Sequence, residues 1–446
     1  MLSHGLILTP AVTTDRVDRP PVGYHASNRH TGIKPERQNV DPNKLAPTQQ
    51  RLDHLDVLRG FALLGILMVN FEWFTRPLQA IVLGVDPGLG GLDAAVDWLI
   101  RALAEGKFYP LFSMLFGAGF ALMFERAEAR QAPFWGLYLR RLLILLVFGA
   151  AHMLLVWAGD ILLIYALCGF VMVLLFRKTP TGRLWKWALV FIALPVALMW
   201  LGALAIWSTQ GDPDLHASIM GEFETEASAL HQRVAAAAEI HAAGSWVENV
   251  GQRLDDARFT LGNFVFWVPP ILGYFLIGRW LIATGRLVRP DQHRLFFRRW
   301  RSRGLIIGLP LAVLGAGLLH GANWSIPTPS VALGLTATTV GALFLSLAYL
   351  SMVTLGSDRL RFLAPAGRMA LTNYLLQSLF WTWTFYGHGL GLWGQLPRAS
   401  HVFVVLAFFA VQVVLSTLWM RHFRFGPAEW LWRSLVYLRM QPMRTG

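Results

Sequence analysis

Charge is scarce in this chain: Asp, Glu, Lys and Arg make up 15% of its 446 residues, against roughly 25% in an ordinary soluble domain. Cysteine occurs once, at Cys168, which excludes an intrachain disulfide, and no Cys/His spacing suited to a metal is present. No internal repeat is evident, which weakens an inverted-repeat transporter reading. The early segment LILTPAV is too short and too poorly flanked for a secretory signal. What the chain has in abundance is apolar sequence: 55% of its residues are hydrophobic. Long apolar windows of about 17–25 residues recur, the signature of a polytopic all-α membrane bundle.

Ten spans are expected, at about 57–74, 108–125, 139–157, 160–176, 185–207, 263–282, 304–320, 331–355, 367–386 and 400–420. Of the 39 Lys and Arg residues, 32 then fall in the two termini and the loops on their side of the membrane, and 7 on the other side. Cationic loops stay in the cytoplasm, so both termini are expected there. The net charge of +13 belongs to this bias, and no nucleic-acid partner is expected. Residues 1–50, rich in Pro, Asn, Thr and Gln, read as a disordered cytoplasmic tail. Residues 51–425 hold the ten spans. An acidic insertion at 208–262, rich in helix formers, is expected to lie over the outer mouth as one or two helices. Residues 426–446 begin with Gly426-Pro427 and carry Trp430 and Trp432 among arginines, which reads as a cytoplasmic interfacial helix and tail.

The junction LDVLRG into FALLGILMVNF is the most informative stretch. Asp56 and Arg59 share one helix face that leads straight into hydrocarbon, where an ionised arginine costs roughly 2.5–3.5 kcal/mol at the centre of a span. Asn70 follows 11 residues after Arg59 on the same face, about 16 Å deeper. The third span repeats this layout: Arg141 at its inner end and His152 near its outer end, 11 residues on. Histidine is the side chain most easily tuned to gain and lose a proton near neutral pH. The tight turn Trp157-Ala158-Gly159-Asp160 can bring a carboxylate back to orient the imidazole, although Asp160 also fits as the N-cap of the next span. In the ninth span Thr372, Asn373 and Gln377 follow Arg368 within about two turns, as a cavity wall or as amides bonding neighbouring helices. Glu72 is expected to pair with a neighbouring helix, Lys107 to sit at an outer end, and His388 to be interfacial.

The segments LDVLRGFALLGILMVN, KFYPLFSMLFGAGF, GAAH…GDILLIYAL, GRMALTNYLLQSLF and FRFGPAEWLWRSL resemble the YeiB-like family of bacterial inner-membrane proteins over about residues 50–436. The first-span pattern is similar to that of the transmembrane acyltransferases, which include the heparan glucosaminide acetyltransferase and acyltransferase-3 type enzymes. That resemblance implies acyl transfer from cytoplasmic acyl-CoA to a hydroxyl or amine acceptor on the far side, with the Asp56…Arg59-Gly60 element near the donor. Acyltransferase-3 proteins have a histidine where this chain has Asn70, so His152 is the best replacement for the base. The expected site is therefore His152, Asp160 and Asn70 for catalysis, with Asp56, Arg59, Arg141 and Arg368 around acyl-CoA. A bilayer, acyl-CoA and an extracytoplasmic glycan, lipid or small-molecule acceptor are the expected partners; a homo-oligomer is compatible with the sequence. No metal is expected. The rival expectation is a transporter or flippase for a small metabolite or lipid, without acyl transfer.

Overall fold

A computed structural model describes residues 52–84, 88–129, 131 and 135–445. The expected disordered tail at 1–50 lies outside the described residues. Within them the regular structure is helical, with one isolated pairing of Phe423 and Arg444.

The first helix of the described residues is α1 (Asp53–Trp73), whose first turn carries Asp53 and Asp56 against the positive end of the helix dipole. A short helix, α2 (Gly91–Leu103), follows; it turns Leu92, Leu99 and Leu103 outward and buries Asp97 and Arg101. Next come α3 (Phe108–Ala129), α4 (Trp135–Leu155) and α5 (Leu162–Val171), which continues as a π-turn over Met172–Phe176. The helix α6 (Thr181–Ser208) presents Val190, Leu201, Leu204 and Trp207 to the outside, as a lipid-facing helix does. The expected insertion is two helices, α7 (Pro213–Ala243) and α8 (Trp246–Gly262), the second started by a capping box of Ser245 and Glu248. Then come α9 (Phe264–Ala283), α10 (Arg294–Leu318), α11 (Pro329–Leu355), the single turn α12 (Ala364–Arg368), α13 (Ala370–Phe385), α14 (His401–His422) and α15 (Pro427–Tyr437).

A helix stands at each of the ten expected spans, but among the described residues eight are long and apolar enough to cross a membrane. The two short ones are Leu162–Phe176 and α13, which has 16 residues. At about 1.5 Å per residue, 16 residues reach about 24 Å, less than a hydrocarbon core of about 30 Å. Both carry polar groups into the interior of the bundle. The closest pairs of helices include α10 with α11, α3 with α9, α6 with α9, α4 with α5, and α1 with α12. The α1–α12 contact depends on glycine: a Cβ on Gly60 would collide with the Leu363 carbonyl, and one on Gly367 with the Asp56 carbonyl. The chain is a multi-pass membrane bundle with α7 and α8 at one end and α15 at the other.

Candidate functional site

His152 lies in the last turn of α4, after which the chain turns sharply through Trp157 and Ala158 and re-enters the bundle as α5. This turn returns Asp160 to the imidazole: His152 Nδ1 is 2.8 Å from Asp160 Oδ1, with the side chains 2% and 0% exposed. The second oxygen, Oδ2, accepts the Leu163 backbone N–H at 2.8 Å. One carboxylate therefore both orients the histidine and caps α5. Nδ1 donates to the carboxylate, as the hydrogen-bond network assigns it, so Nε2 presents its lone pair. Nε2 is buried and meets no hydrogen-bond partner among the described residues. Gly149 makes the approach of α5 feasible, because a Cβ there would collide with the Leu163 backbone nitrogen and stand 2.9 Å from Asp160 Oδ2.

Tyr374 of α13 completes this group. Its ring centroid is 5.2 Å from that of His152, and its hydroxyl accepts the Ile161 N–H at 3.3 Å and lies 3.5 Å from Asp160 Oδ1. Sequence reasoning singled out its polar neighbours and missed Tyr374 itself; a tyrosine inside a polar run of a buried helix was the available signal. Asn70 is half-buried on α1, and its amide has no hydrogen-bond partner among the described residues. The backbones of α1 and α4 are not packed closely together, and no bond joins Asn70 to His152.

At the α15 end, Arg59 Nη1 donates to Asp56 Oδ1 at 2.8 Å, with Asp56 buried and Arg59 one-third exposed. The α12 turn sits on this part of α1 and places Arg368 beside it. Arg141 stacks its guanidinium 4.1 Å from the Trp432 ring centroid and has Arg59 and Arg433 as cationic neighbours. Trp432 Nε1 donates back to the Arg141 carbonyl at 3.4 Å, and Arg140 donates to the Val436 carbonyl at 2.9 Å. The structure thus brings Arg59 and Arg141 near one another, adds Trp432 and Arg433 of α15, and places Arg368 on the α12 turn packed against α1. Between Met123, Arg141, Trp432 and Tyr437 is a hollow of about 20 Å³, room for a water molecule.

Of the two readings for the polar face of α13, cavity wall or helix-joining amides, the observed bonds are of the second kind. Thr372 Oγ1 donates to Glu429 Oε2 at 2.5 Å, and Glu429 Oε1 accepts the Leu371 and Thr372 N–H groups at 2.7 and 3.2 Å. This carboxylate caps the start of α13 and fastens α15 to it; burial raises its pKa. Asn373 Nδ2 donates to Ser416 Oγ at 2.9 Å, and Gln377 Nε2 to Gln412 Oε1 at 2.8 Å, both on α14. Thr372, Asn373 and Gln377 are helix-joining groups here, because each finds its partner on a packed neighbour.

At the α7–α8 end a charged cluster joins α1, α2 and the start of α14. Arg398 pairs with Glu72 and, at 3.3 Å, with Asp97; Arg76 pairs with Glu72 at 3.0 Å; Arg101 pairs with Asp97 at 2.7 Å and Glu105 at 3.3 Å. Glu72 thus has the neighbouring-helix partner that its position implied. Lys107 is buried and donates to the Arg101 carbonyl at 2.7 Å. A hollow of about 10 Å³ lies among these charges. Across the same end, α8 docks on α4 as Trp246 and Arg253 both donate to the Leu155 carbonyl, at 3.2 and 3.1 Å. Burial lowers the His241 pKa to about 4 and pushes the Asp256 carboxyl up to about 6.

The two hollows share no residue. Leu63 and Ile66 on α1 and Leu145 on α4, at depths between Arg59 and His152, are all buried in packed surroundings.

The family described as "Protein of unknown function (DUF418)" matches residues 281–439, the part that contains α12, α13 and α15 but not His152. "Uncharacterized protein YxaH" of Bacillus subtilis (strain 168) is 36% identical over 418 residues, covering 89% of this chain and 96% of that protein. "Uncharacterized protein YeiB" of Escherichia coli (strain K12) is 30% identical over 395 residues, covering 86% and 95%. No solved structure matches the chain. These relatives extend over nearly all the described helices, and the chain belongs to the YeiB-like family.

Proposed function

We propose that this protein is a transmembrane acyltransferase that moves an acyl group, acetyl in the simplest case, from cytoplasmic acyl-CoA to a hydroxyl or amine on the opposite side of a bacterial inner membrane. The cationic residues Arg140, Arg141, Arg433 and Arg439 at the α15 end, part of the 32-to-7 bias counted over ten expected spans, support a cytoplasmic place for that end. The observation that carries the reading is the buried His152–Asp160 pair with His152 Nε2 unpartnered. An imidazole oriented by a carboxylate, with its second nitrogen unoccupied, is the arrangement of a general base.

The acceptor's O–H or N–H gives its proton to Nε2 as its oxygen or nitrogen forms a bond to the thioester carbonyl carbon. The tetrahedral oxyanion then collapses, the C–S bond breaks, and the leaving thiolate takes the proton from the imidazolium. Asp160 holds the ring and balances its transient charge; Tyr374 holds Asp160. Asn70, with an uncommitted amide, is the group of α1 assigned to the oxyanion. Arg59, Arg141, Arg368 and Arg433 supply cations for the CoA phosphates, and Trp432 supplies a face for its base. Leu63, Ile66 and Leu145 are packed at the intervening depths, so transfer requires a second state in which these side chains move aside for the pantetheine arm. A proton-coupled carrier also uses such a pair as a relay; the arginines near Arg141, which a carrier of neutral or cationic cargo does not need, favour acyl transfer.

Thermal unfolding in the presence of CoA, acetyl-CoA and dephospho-CoA tests the donor half. CoA and acetyl-CoA are expected to raise Tm by ligand linkage, dephospho-CoA less, and Arg141→Gln to remove most of the effect. A flat response to all three contradicts the reading.

A further inference from the structure

We propose that Arg253 forms the anion-binding part of the acceptor site: the molecule that reaches His152 from the α7–α8 side carries a carboxylate or phosphate group that the Arg253 guanidinium holds. The proposal rests on the acyl-transfer reading for its role, but its evidence is separate. Arg253 is 2% exposed, and no carboxylate lies within ion-pair distance of it among the described residues. Its one hydrogen bond goes from Nη1 to the Leu155 carbonyl at 3.1 Å, which caps α4. Nε and Nη2 are buried with no acceptor among the described residues. A guanidinium is always charged and presents five donors in a flat fork suited to a carboxylate or phosphate. Burial of that charge without a counter-ion is strongly unfavourable, so the unfilled half of the fork marks a place for a group from outside the described residues.

The surroundings agree in sign. Arg253 lies 5.9 Å from the Tyr386 ring centroid, which in turn stacks on His241 at 4.6 Å and meets His388 at 5.7 Å. His388 Nδ1 is another buried atom without a partner. Both histidines feel Arg253 as a cationic neighbour, which lowers their pKa values after the larger effect of burial. The nearest acid is Asp256, one turn along α8, and its Oδ1 is already held by Gln79 and Gln252, each at 3.1 Å. The wall is therefore cationic and aromatic, suited to an acidic sugar or an acidic headgroup. Leu155 is three residues beyond His152 on α4, about 4.5 Å along the axis. An anion on Arg253 would stand one helical turn from the base, a suitable distance for an acceptor held at one end and reacting near the other.

The test uses the full chain in nanodiscs of phosphatidylcholine, with thermal unfolding read in sodium phosphate, sodium glucuronate or sodium chloride at equal ionic strength, and in discs containing phosphatidylglycerol. The proposal expects phosphate, glucuronate or phosphatidylglycerol to raise Tm by several degrees over chloride; the soluble ions and the lipid separate a free acid from a headgroup. Arg253→Gln should lose that response and, without anion, be at least as stable as the wild type, because it removes an uncompensated charge. Absence of any response in the wild type overturns the proposal, as does an undiminished response in Arg253→Gln. If Arg253→Gln does not fold, His388→Ala supplies the second variant: a diminished anion response supports the site and a full one overturns it. No donor or turnover enters this measurement, so loss of the CoA response and loss of the anion response are independent outcomes.

Discussion

Where α1, α2 and the start of α14 meet, Arg398 is buried between Glu72 and Asp97, and the chain of pairs continues through Arg101 to Glu105. Across the same end of the bundle, Arg253 is at least as deeply buried with no ion-pair partner, and His152 keeps one nitrogen unbonded beneath it. Both corners bury charge at the edge of a membrane bundle, where desolvation is severe. In the first, acids and bases answer one another, which fixes three helices in register. In the second, the side chains hold one another in place and leave donors and a lone pair facing inward. The compensated corner is explained by folding alone; the uncompensated one, unpartnered among the described residues, is where we propose that a further molecule binds.

The largest effect on stability should come from breaking the compensated corner. Arg398→Ala leaves Glu72 and Asp97 buried with too little positive charge and should cost about 3–5 kcal/mol. Adding Glu72→Gln should restore part of it. Thermal unfolding in detergent checks both, and a loss under about 1 kcal/mol would mean that the cluster is solvated and that the contrast between the corners is false.

Gly149→Ala probes the other corner through its scaffold. The new methyl meets the start of α5 and crowds Asp160, so a loss of about 1–3 kcal/mol is expected. The CoA-dependent stabilisation should persist while acyl transfer fails, because the donor arginines are at the opposite end. Loss of donor binding together with transfer would show that the two ends are not separate.

The smallest effect concerns pH at the α8 dock. His241 titrates near 4 when folded against 6.5 when free. The docked state thus binds fewer protons between these values, and docking weakens as pH falls through that window. Asp256 titrates near 6 when folded against 3.8 when free, so its protonation strengthens docking as pH falls across almost the same range. The two nearly cancel in the wild type. Asp256→Asn should uncover the histidine, with opening of α8 rising about tenfold between pH 7 and pH 5. Hydrogen exchange corrected for intrinsic rates measures this; a flat profile in the variant would remove His241 from the account.

Much of the bundle was legible because apolar windows and cationic loops are strong signals. The return of Asp160 to His152 followed from a turn of a few residues between two helices, and the Asp56–Arg59 pair from helical spacing alone. The failures share one cause: a single chain shows the polarity of a helix face but not what that face meets. Asn373 and Gln377 left cavity wall and helix-joining amides both open because their partners Ser416 and Gln412 lie about 40 residues away, and only packing of α13 on α14 joins them. The short helix α2 fell between expected spans, although Asp97, Arg101 and Glu105 follow one another at four-residue spacing, a signal of a helix that pairs its charges. Nothing local marks Arg253 as buried, since its burial depends on α8 folding back over α4.

The most direct test of the central claim, that His152 Nε2 is the base of a transacylation, is retention of label from [14C]acetyl-CoA by inside-out membrane vesicles containing the wild type or His152→Ala. The account predicts label in the washed vesicles with the wild type and a loss of about 10²–10⁴-fold with His152→Ala, while CoA still raises the variant's Tm. Equal labelling by the two proteins, or none above vesicles that lack the protein, would contradict it.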